Sequence, residues 1–194
     1  MSNASALTRQ PQQVVGLHGR LMAHAAGLPN DELFARMLSS QAAGSGVLPI
    51  GLGLSLDAFS RLLLRHFPHC GPLLELDTTQ WPDEARMAER QDLIDLMVEQ
   101  RAGLDESEIW MARIVAAACM GSNHLWQDLG LWNRSDVSRL INENFPALAA
   151  KNVRDMKWKK FLYKQLCQRE GVYVCRSPSC EVCADYAVCF GPEE

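Results

Sequence analysis

Apolar residues recur every three or four positions along most of this chain. The first two stripes consist of Val14, Leu17, Leu21 and Ala25, and then Leu33, Phe34, Met37 and Leu38. That spacing places apolar side chains on one face of an α-helix. Strict alternation, which would indicate half-buried strands, appears only in the short run 171–175. The pattern therefore predicts an all-α fold.

Capping residues, prolines and glycines predict where individual helices begin and end. Helix N-caps are predicted at Asn30, at Ser55 or Asp57, and at Ser135. Gly27 is predicted to end the first helix, and Pro68 and Pro146 to stop two later ones. The segment 44–56, rich in glycine and apolar residues, is interpreted as a packed connection, and 69–82 as a loop.

The second half of the chain carries longer helical patterns. Segments 83–103, 105–120 and 147–171 are each predicted to form one helix, and Ala116–Ala118 to permit close helix contact. The apolar stripes there are Met87, Leu93, Ile94 and Met97, then Ile109, Trp110, Ile114 and Val115, then Trp158, Leu162 and Leu166. We expect a multi-helix domain of about six to eight helices over 1–171, followed by an irregular cysteine-rich tail over 172–194.

Composition and charge narrow the functional class. The chain has 194 residues, 47% of them hydrophobic, and a formal net charge of −4, which is typical of a globular domain without global basic character. No apolar run approaches the length of a membrane span, and the N-terminus lacks a signal pattern. The sequence thus favours a cytoplasmic protein with no nucleic-acid or membrane partner.

The C-terminal tail concentrates four cysteines, Cys175, Cys180, Cys183 and Cys189, in the spacing C-x4-C-x2-C-x5-C. In a reducing compartment such clusters are metal ligands more often than disulfides. Four soft thiolates suit either zinc or an iron–sulfur cluster. The single close pair differs from the two separated pairs of common zinc modules, but the spacing alone does not choose between the metals.

A basic segment precedes the tail. Its seven cations, with Asp155 as the only acid between them, are Lys151, Arg154, Lys157, Lys159, Lys160, Lys164 and Arg169. A cationic helix favours a nearby thiolate-bound cluster or an oxyanion such as molybdate, because both are negatively charged. The alternative interpretation is an ordinary solvated helix face.

Three motifs together resemble one known family. They are "HLWQDLGL" at 124–131, "DMKWKKF" at 155–161, and the four-cysteine spacing ending in "CFG" at 189–191. This combination resembles the NifQ family, molybdenum-handling proteins of nitrogen fixation. The resemblance is strongest from Asp105 to Gly191, so that 105–171 is family-like and 1–104 less recognisable.

The resemblance implies an iron–sulfur protein that carries molybdenum and is not an enzyme. It implies a cluster of the 3Fe–4S or 4Fe–4S type on Cys175, Cys180, Cys183 and Cys189. The molybdenum would arrive as molybdate or a molybdenum–sulfur species and pass to the assembly proteins NifEN and NifH for iron–molybdenum cofactor synthesis. A zinc-stabilised interaction module and an iron–sulfur electron carrier remain as alternatives.

Other metal-binding residue types receive separate interpretations. Cys167 and His124 are candidate accessory ligands, although a buried cysteine and a local helix cap are the plainer interpretations. Cys119 is predicted to pack in a small-residue helix face. His66, His69 and Cys70 form a weak candidate site in a loop. Trp126, Trp132 and Trp158 are predicted to pack helices together.

Overall fold

The computed structural model describes residues 4–70, 88–169, 171 and 186–191, and within these ranges the fold is all-helical, as predicted. Seven helices of eleven or more residues match the predicted six to eight. The long helices are α1 (Ala4–Ala23), α2 (Asp31–Ala42), α3 (Leu56–His66), α4 (Ala88–Glu99), α5 (Ser107–Cys119), α7 (Arg134–Asn144) and α9 (Trp158–Arg169). The short ones are α6 (Leu125–Asp128), α8 (Pro146–Ala149) and α10 (Tyr186–Phe190).

Helix α5 is the centre of the core. Its side chains are buried on almost every face, including Trp110, Ile114 and Val115 as predicted, whereas Ile109 is only half-buried. Helices α3, α4 and α6 pack around it. A helix that is apolar on all sides is stable only when other elements surround it.

The glycine-rich segment 44–56 is a packed connection, as predicted. It contains a 3₁₀ turn at Ile50–Gly53, in which Gly51, Leu52 and Gly53 are buried. A Cβ added at Gly53 would lie 2.8 Å from the Cβ of Ala117, and Gly53 has a φ of +78°. Glycine and the small residues of α5 therefore let this connection lie directly on the central helix.

Asn30 stands at the N-cap position of α2, but its side chain makes no capping bond. Its backbone is left-handed, with φ at 74°, and its amide points into the core. There Asn30 Nδ2 donates to Ser107 Oγ at 2.9 Å and to Asn144 Oδ1 at 2.7 Å. The side chain of Asn30 therefore forms a long-range polar bridge in place of the predicted local cap. A buried amide is stable only when its donors and acceptor have hydrogen-bond partners.

A buried carboxylate–imidazole pair joins α2 to α3. His66 Nδ1 lies 2.6 Å from Asp31 Oδ1, and both side chains are buried. The rings of Phe34 and Trp110 pack edge-on against the imidazole. Burial lowers the pKa of His66 below its usual 6.5, and Asp31 opposes that shift.

Two predicted helix caps have different outcomes. Ser55 caps α3, accepting a bond from the N–H of Ala58 at 3.3 Å. The cap predicted at Ser135 is wrong, because the side chain of Asn133 caps α7, accepting from the N–H of Asp136 at 3.0 Å. The hydroxyl of Ser135 donates to the same Asn133 oxygen at 2.5 Å instead.

The single helix predicted over 147–171 is also wrong. The chain forms α8, turns through 150–157, and only then begins α9 at Trp158. The break is stabilised by Asn152, whose side chain bonds both the N–H and the carbonyl of Met156 at 2.9 Å. Asp155 within the turn has a φ of +51°. Such side-chain bonds to the backbone compete with helix formation.

The predicted helix over 83–103 is confirmed in part: α4 covers Ala88–Glu99, with Leu93 and Met97 buried, and residues 100–103 lie beyond its end. Its stripe residue Met87 lies outside the described residues, as do most of the predicted loop 69–82 and the possible strand at 171–175. Among the described helices, none is long and apolar enough to cross a membrane.

We expect Asn133→Ala to lower the free energy of unfolding by about 1 kcal/mol, because α7 loses its side-chain cap. Urea denaturation measures this change. Ser135→Ala is the matched control and should cost less than half as much. Equal losses in the two variants would contradict the assignment of the cap to Asn133.

The His66–Asp31 pair predicts a pH dependence of stability. The folded-state pKa of His66 is lowered, so between that pKa and 6.5 the unfolded chain binds more protons. The contribution of this pair to stability is therefore complete well above pH 6.5 and declines as the pH falls below 6.5 towards the lowered pKa of the folded state. Urea denaturation across this range should show that decline in the wild type and in His24→Gln, an exposed control.

In His66→Gln the same pH dependence should flatten, although the variant is less stable throughout. An unchanged slope in this variant would show that other groups produce the effect.

Candidate metal centre

Cys189, the last cysteine of the predicted ligand set, lies on α10. Its thiol is half-buried and forms no disulfide, and its side chain packs against the edge of the core. Cys175, Cys180 and Cys183 lie outside the described residues. The structure therefore positions one of the four predicted ligands and shows which part of the fold it contacts.

The segment before α9 holds α10 by hydrogen bonds. The N–H of Lys157 donates to the carbonyl of Cys189 at 2.8 Å, and Lys157 Nζ lies 3.4 Å from the carbonyl of Ala187. An ammonium group beside the carbonyls of a helix C-terminus is electrostatically favourable. Cys189 is thus attached to the basic segment through its backbone carbonyl, and its thiol takes no part in these bonds.

Gly191 closes α10. Its N–H donates to the carbonyl of Ala187 at 2.8 Å, and a Cβ at this position would overlap that carbonyl oxygen. Only glycine permits so close a backbone approach. The close backbone approach at the end of α10 therefore explains the glycine that follows the cysteine in the "CFG" motif.

Helix α9 is anchored to the core by its apolar face. Trp158, Leu162 and Leu166 are buried, which confirms the predicted inward stripe. Trp158 Nε1 also donates to Ser138 Oγ on α7 at 3.1 Å. These contacts fix the start of α9, and with it the position of Lys157.

An ion pair between a half-buried lysine and a buried carboxylate links the two sequence motifs that precede the cysteines. Lys159 Nζ, in 155–161, contacts Asp128 Oδ2, in 124–131, and donates to the carbonyl of Gly121 at 2.9 Å. Asp128 is fully buried and also accepts from the N–H of Asn123 at 3.0 Å. A Cβ at Gly121 would overlap the carboxylate, so glycine admits it. Lys159 is therefore structural, and not part of a solvated face.

The sequence analysis missed the partner of Lys159. The available signal was Asp128 itself, a carboxylate inside the apolar run "LWQDLGL". A charge placed among buried apolar residues requires a counter-charge, and the lysine-rich motif supplies it. Hydrophobic periodicity does not reveal this pairing, because the two residues are 31 positions apart.

Cys119 lies close to this ion pair but is chemically inert. Burial raises the pKa of its thiol to about 12, with the charge of Lys159 opposing the shift. A thiol in this state remains protonated and cannot serve readily as a thiolate ligand. The predicted packing role of Cys119 is confirmed by its burial.

The remaining candidate ligands lie on different elements of the fold. His124 occupies the N-cap position of α6, and its backbone N–H donates to Gln127 Oε1 at 3.1 Å. This agrees with the interpretation of His124 as a local helix cap. Cys167 is half-buried on α9. His66 is engaged by Asp31, and Cys70 is buried. Within the described ranges, no three histidine, cysteine or acidic side chains converge to hold a metal ion.

The predicted aromatic packing is confirmed only in part. Trp158 is buried and Trp126 packs against the core, whereas Trp132 is 39% exposed. The guanidinium of Arg36 lies 4.6 Å from the ring centre of Trp132. Trp132 therefore makes a cation–π contact at the surface as well as a packing contact.

The NifQ family model matches residues 33–191, most of the chain. Protein NifQ of Azotobacter vinelandii is 45% identical over 168 residues, covering 81% of this chain and 86% of that protein. Protein NifQ of Rhodobacter capsulatus is 39% identical over 162 residues, covering 83% and 87%. Protein NifQ of Klebsiella pneumoniae is 33% identical over 160 residues, covering 76% and 90%.

No solved structure matches the chain significantly. The sequence matches nevertheless define the class: the chain belongs to the NifQ family, which is involved in nitrogen fixation and iron–molybdenum cofactor biosynthesis. The matched region begins well before Asp105, so most of the helical domain belongs to the family pattern together with the cysteine tail.

We expect Lys159→Met to destabilise the protein by about 3 kcal/mol, because it leaves the buried carboxylate of Asp128 unpaired. Thermal or urea unfolding measures the loss. Lys160→Met, at the neighbouring exposed position, is the control and should change stability by less than about 0.5 kcal/mol. Similar small effects in both variants would contradict a structural ion pair.

Proposed function

We propose that this protein is an iron–sulfur carrier that binds molybdenum and donates it for iron–molybdenum cofactor synthesis. The observation that supports it most directly is the bond from the Lys157 N–H to the Cys189 carbonyl. It joins the family motif 155–161 to the last cysteine of the tail. The chain thereby holds a soft ligand beside a cationic segment in a family of molybdenum cofactor assembly.

The residues present fit an iron–sulfur cluster. Cys175, Cys180, Cys183 and Cys189 supply four thiols within fifteen positions. Thiolates are the usual protein ligands of such clusters, and four suffice for a 3Fe–4S or 4Fe–4S type. Cys189 is a free, half-buried thiol, whereas Cys119 is buried within the core. The tail cysteines are therefore the proposed ligands.

The charge of the surroundings suits this assignment. A cluster bound by four thiolates is anionic, and Lys157 lies next to α10. Positive charge near the site stabilises the bound anion and the thiolate form of its ligands. The ammonium of Lys159 is already committed to Asp128, so it serves the scaffold and does not contribute as a free cation.

Molybdenum is the cargo in this proposal. When bound, the cluster supplies sulfide ligands and electrons to a thiophilic metal. The chain contributes a ligand on a short helix at the protein surface, where Ala187 and Val188 are exposed. A peripheral site of this kind lets the metal leave, whereas a site within the core around α5 would retain it.

The proposed acceptors are the assembly proteins NifEN and NifH, and the proposed source is molybdate or a molybdenum–sulfur species in the cytoplasm. The protein acts as a carrier in this scheme and performs no ordinary catalysis. His124 and Cys167 remain proposed accessory ligands. Cys167 lies on α9, the helix that follows the anchored motif.

We expect Cys183→Ala to lose most of its iron, labile sulfide and molybdenum, because the C-x2-C pair supplies two adjacent ligands. Metal and sulfide analysis of anaerobically purified protein, expressed with molybdate, measures this. Cys119→Ala is the control and should retain all three. Circular dichroism should show nearly unchanged helical content in Cys183→Ala.

Two results would contradict the proposal. Retention of iron by Cys183→Ala would exclude this residue from the ligand set. Global unfolding of Cys183→Ala, with zinc in the wild type, would indicate a structural metal and an interaction module.

A further inference from the structure

Helix α10, which carries Cys189, is too short to be stable by itself. It contains five residues, Tyr186–Phe190. Isolated helices of fewer than about 12 residues are marginal in water, because their few hydrogen bonds do not offset the entropy that is lost when the first turn forms. The position of the cysteine therefore depends on the contacts that the rest of the protein makes with α10.

Lys157 supplies two donors to the C-terminal end of α10. Its backbone N–H donates to the carbonyl of Cys189 at 2.8 Å, and its ammonium nitrogen lies 3.4 Å from the carbonyl of Ala187. The last carbonyls of a helix have no partner within the helix, so donors from outside stabilise them. The backbone bond is the shorter of the two, and the ammonium contact is exposed to solvent, so the backbone N–H contributes more.

A side chain in the 150–157 turn fixes the direction of the Lys157 N–H. This N–H belongs to the same planar peptide group as the carbonyl of Met156. Asn152 Nδ2 donates to that carbonyl at 2.9 Å, and Asn152 Oδ1 accepts from the N–H of Met156 at 2.9 Å. In a trans peptide group the carbonyl and the N–H point in opposite directions. Asn152 therefore orients the donor that binds the carbonyl of Cys189.

Both neighbours of Lys157 are anchored in the core. Met156 and Trp158 are buried, and Trp158 Nε1 donates to Ser138 Oγ at 3.1 Å. The carbonyl of Lys157 accepts from the N–H of Phe161 at 2.9 Å, in the first turn of α9. The donor for α10 is thus held in place by the helical domain. A ligand that is positioned in advance loses less conformational entropy when it binds, which strengthens binding.

We infer that Asn152 and the backbone N–H of Lys157 position Cys189 as a metal ligand. The carbonyl that Lys157 binds belongs to the cysteine itself, so the bond restrains the residue from which the thiol extends. The thiol takes no part in that bond and is half-buried at the edge of the core. The identity of the bound group, an iron–sulfur cluster, rests on the proposed function, whereas the geometry of these bonds does not.

Two matched comparisons isolate the backbone bond. Lys157→Pro and Lys157→Ala both lack the ammonium, but only Lys157→Pro lacks the N–H. Asn152→Asp keeps an acceptor for the N–H of Met156 and removes the donor to the carbonyl of Met156. Gln165→Glu introduces the same charge on α9, where the amide of Gln165 bonds the side chain of Gln168.

The rate of iron release to a chelator, from the anaerobically purified and metal-loaded protein, measures how firmly the cluster is held. Lys157→Pro should release iron about fivefold faster than Lys157→Ala, as the loss of one hydrogen bond implies. Asn152→Asp should exceed Gln165→Glu by about the same factor. The electron paramagnetic resonance spectrum should also differ within each pair, because a displaced ligand alters the electronic structure of the iron.

A double-mutant cycle shows whether Lys157 acts through the cysteine. In a Cys189→Ala background, Lys157→Pro should not accelerate iron release further, because the ligand that it positions is already absent. Equal acceleration with and without Cys189 would overturn the inference, since Lys157 would then act on the fold in general. Equal release rates in Lys157→Pro and Lys157→Ala would overturn it as well, and this comparison decides alone if Cys189→Ala holds no iron.

The positioning role and the proposed function can fail separately. If the wild type contains iron, labile sulfide and molybdenum while Lys157→Pro behaves like Lys157→Ala, the positioning role fails and the proposed function stands. If the wild type contains zinc, the proposed function fails, and the same comparison of zinc release decides the positioning role. A wild type without bound metal overturns both. Thermal unfolding checks the variants, and Asn152→Asp takes the place of Lys157→Pro in the cycle if Lys157→Pro fails to fold.

Discussion

The ion pair between Asp128 and Lys159 is the interaction on which the candidate centre depends. It fixes the beginning of α9 against the loop that carries α6. Only two residues before Lys159, the N–H of Lys157 bonds the carbonyl of Cys189. A carboxylate buried in the core requires its lysine partner, so this geometry is strongly specified. The position of the half-buried thiol of Cys189 therefore follows from a charge in the interior.

This arrangement separates the packed helical core from the proposed site of metal chemistry. The central helix α5, the Asn30–Asn144 bridge and the Asp31–His66 pair stabilise the core. Cys189 of the tail is attached to the edge of the core through the short helix α10. Among the basic residues, Lys159 supports the fold, because its ammonium is paired with the buried carboxylate of Asp128.

Much of the fold could be predicted from local patterns, since Leu17, Leu21, Trp158, Leu162 and Leu166 repeat at helical spacing and are buried. The sequence predictions were wrong where hydrogen bonds between distant residues, or side-chain bonds to the backbone, determine the local structure. Asn30 turns inwards to Ser107, and Asn152 bonds to Met156 and interrupts a continuous helical pattern. For the candidate site, the cysteine spacing predicts metal ligation, and that ligation stays a proposal. The contact of Lys157 with Cys189 could not be predicted, because it joins residues that only the tertiary fold brings together.

Metal analysis of the native protein, isolated without oxygen, tests the central claim most directly. Iron and labile sulfide should be present in comparable amounts, with molybdenum added when molybdate is supplied during expression. Stoichiometric zinc, with neither iron nor labile sulfide, would contradict the account.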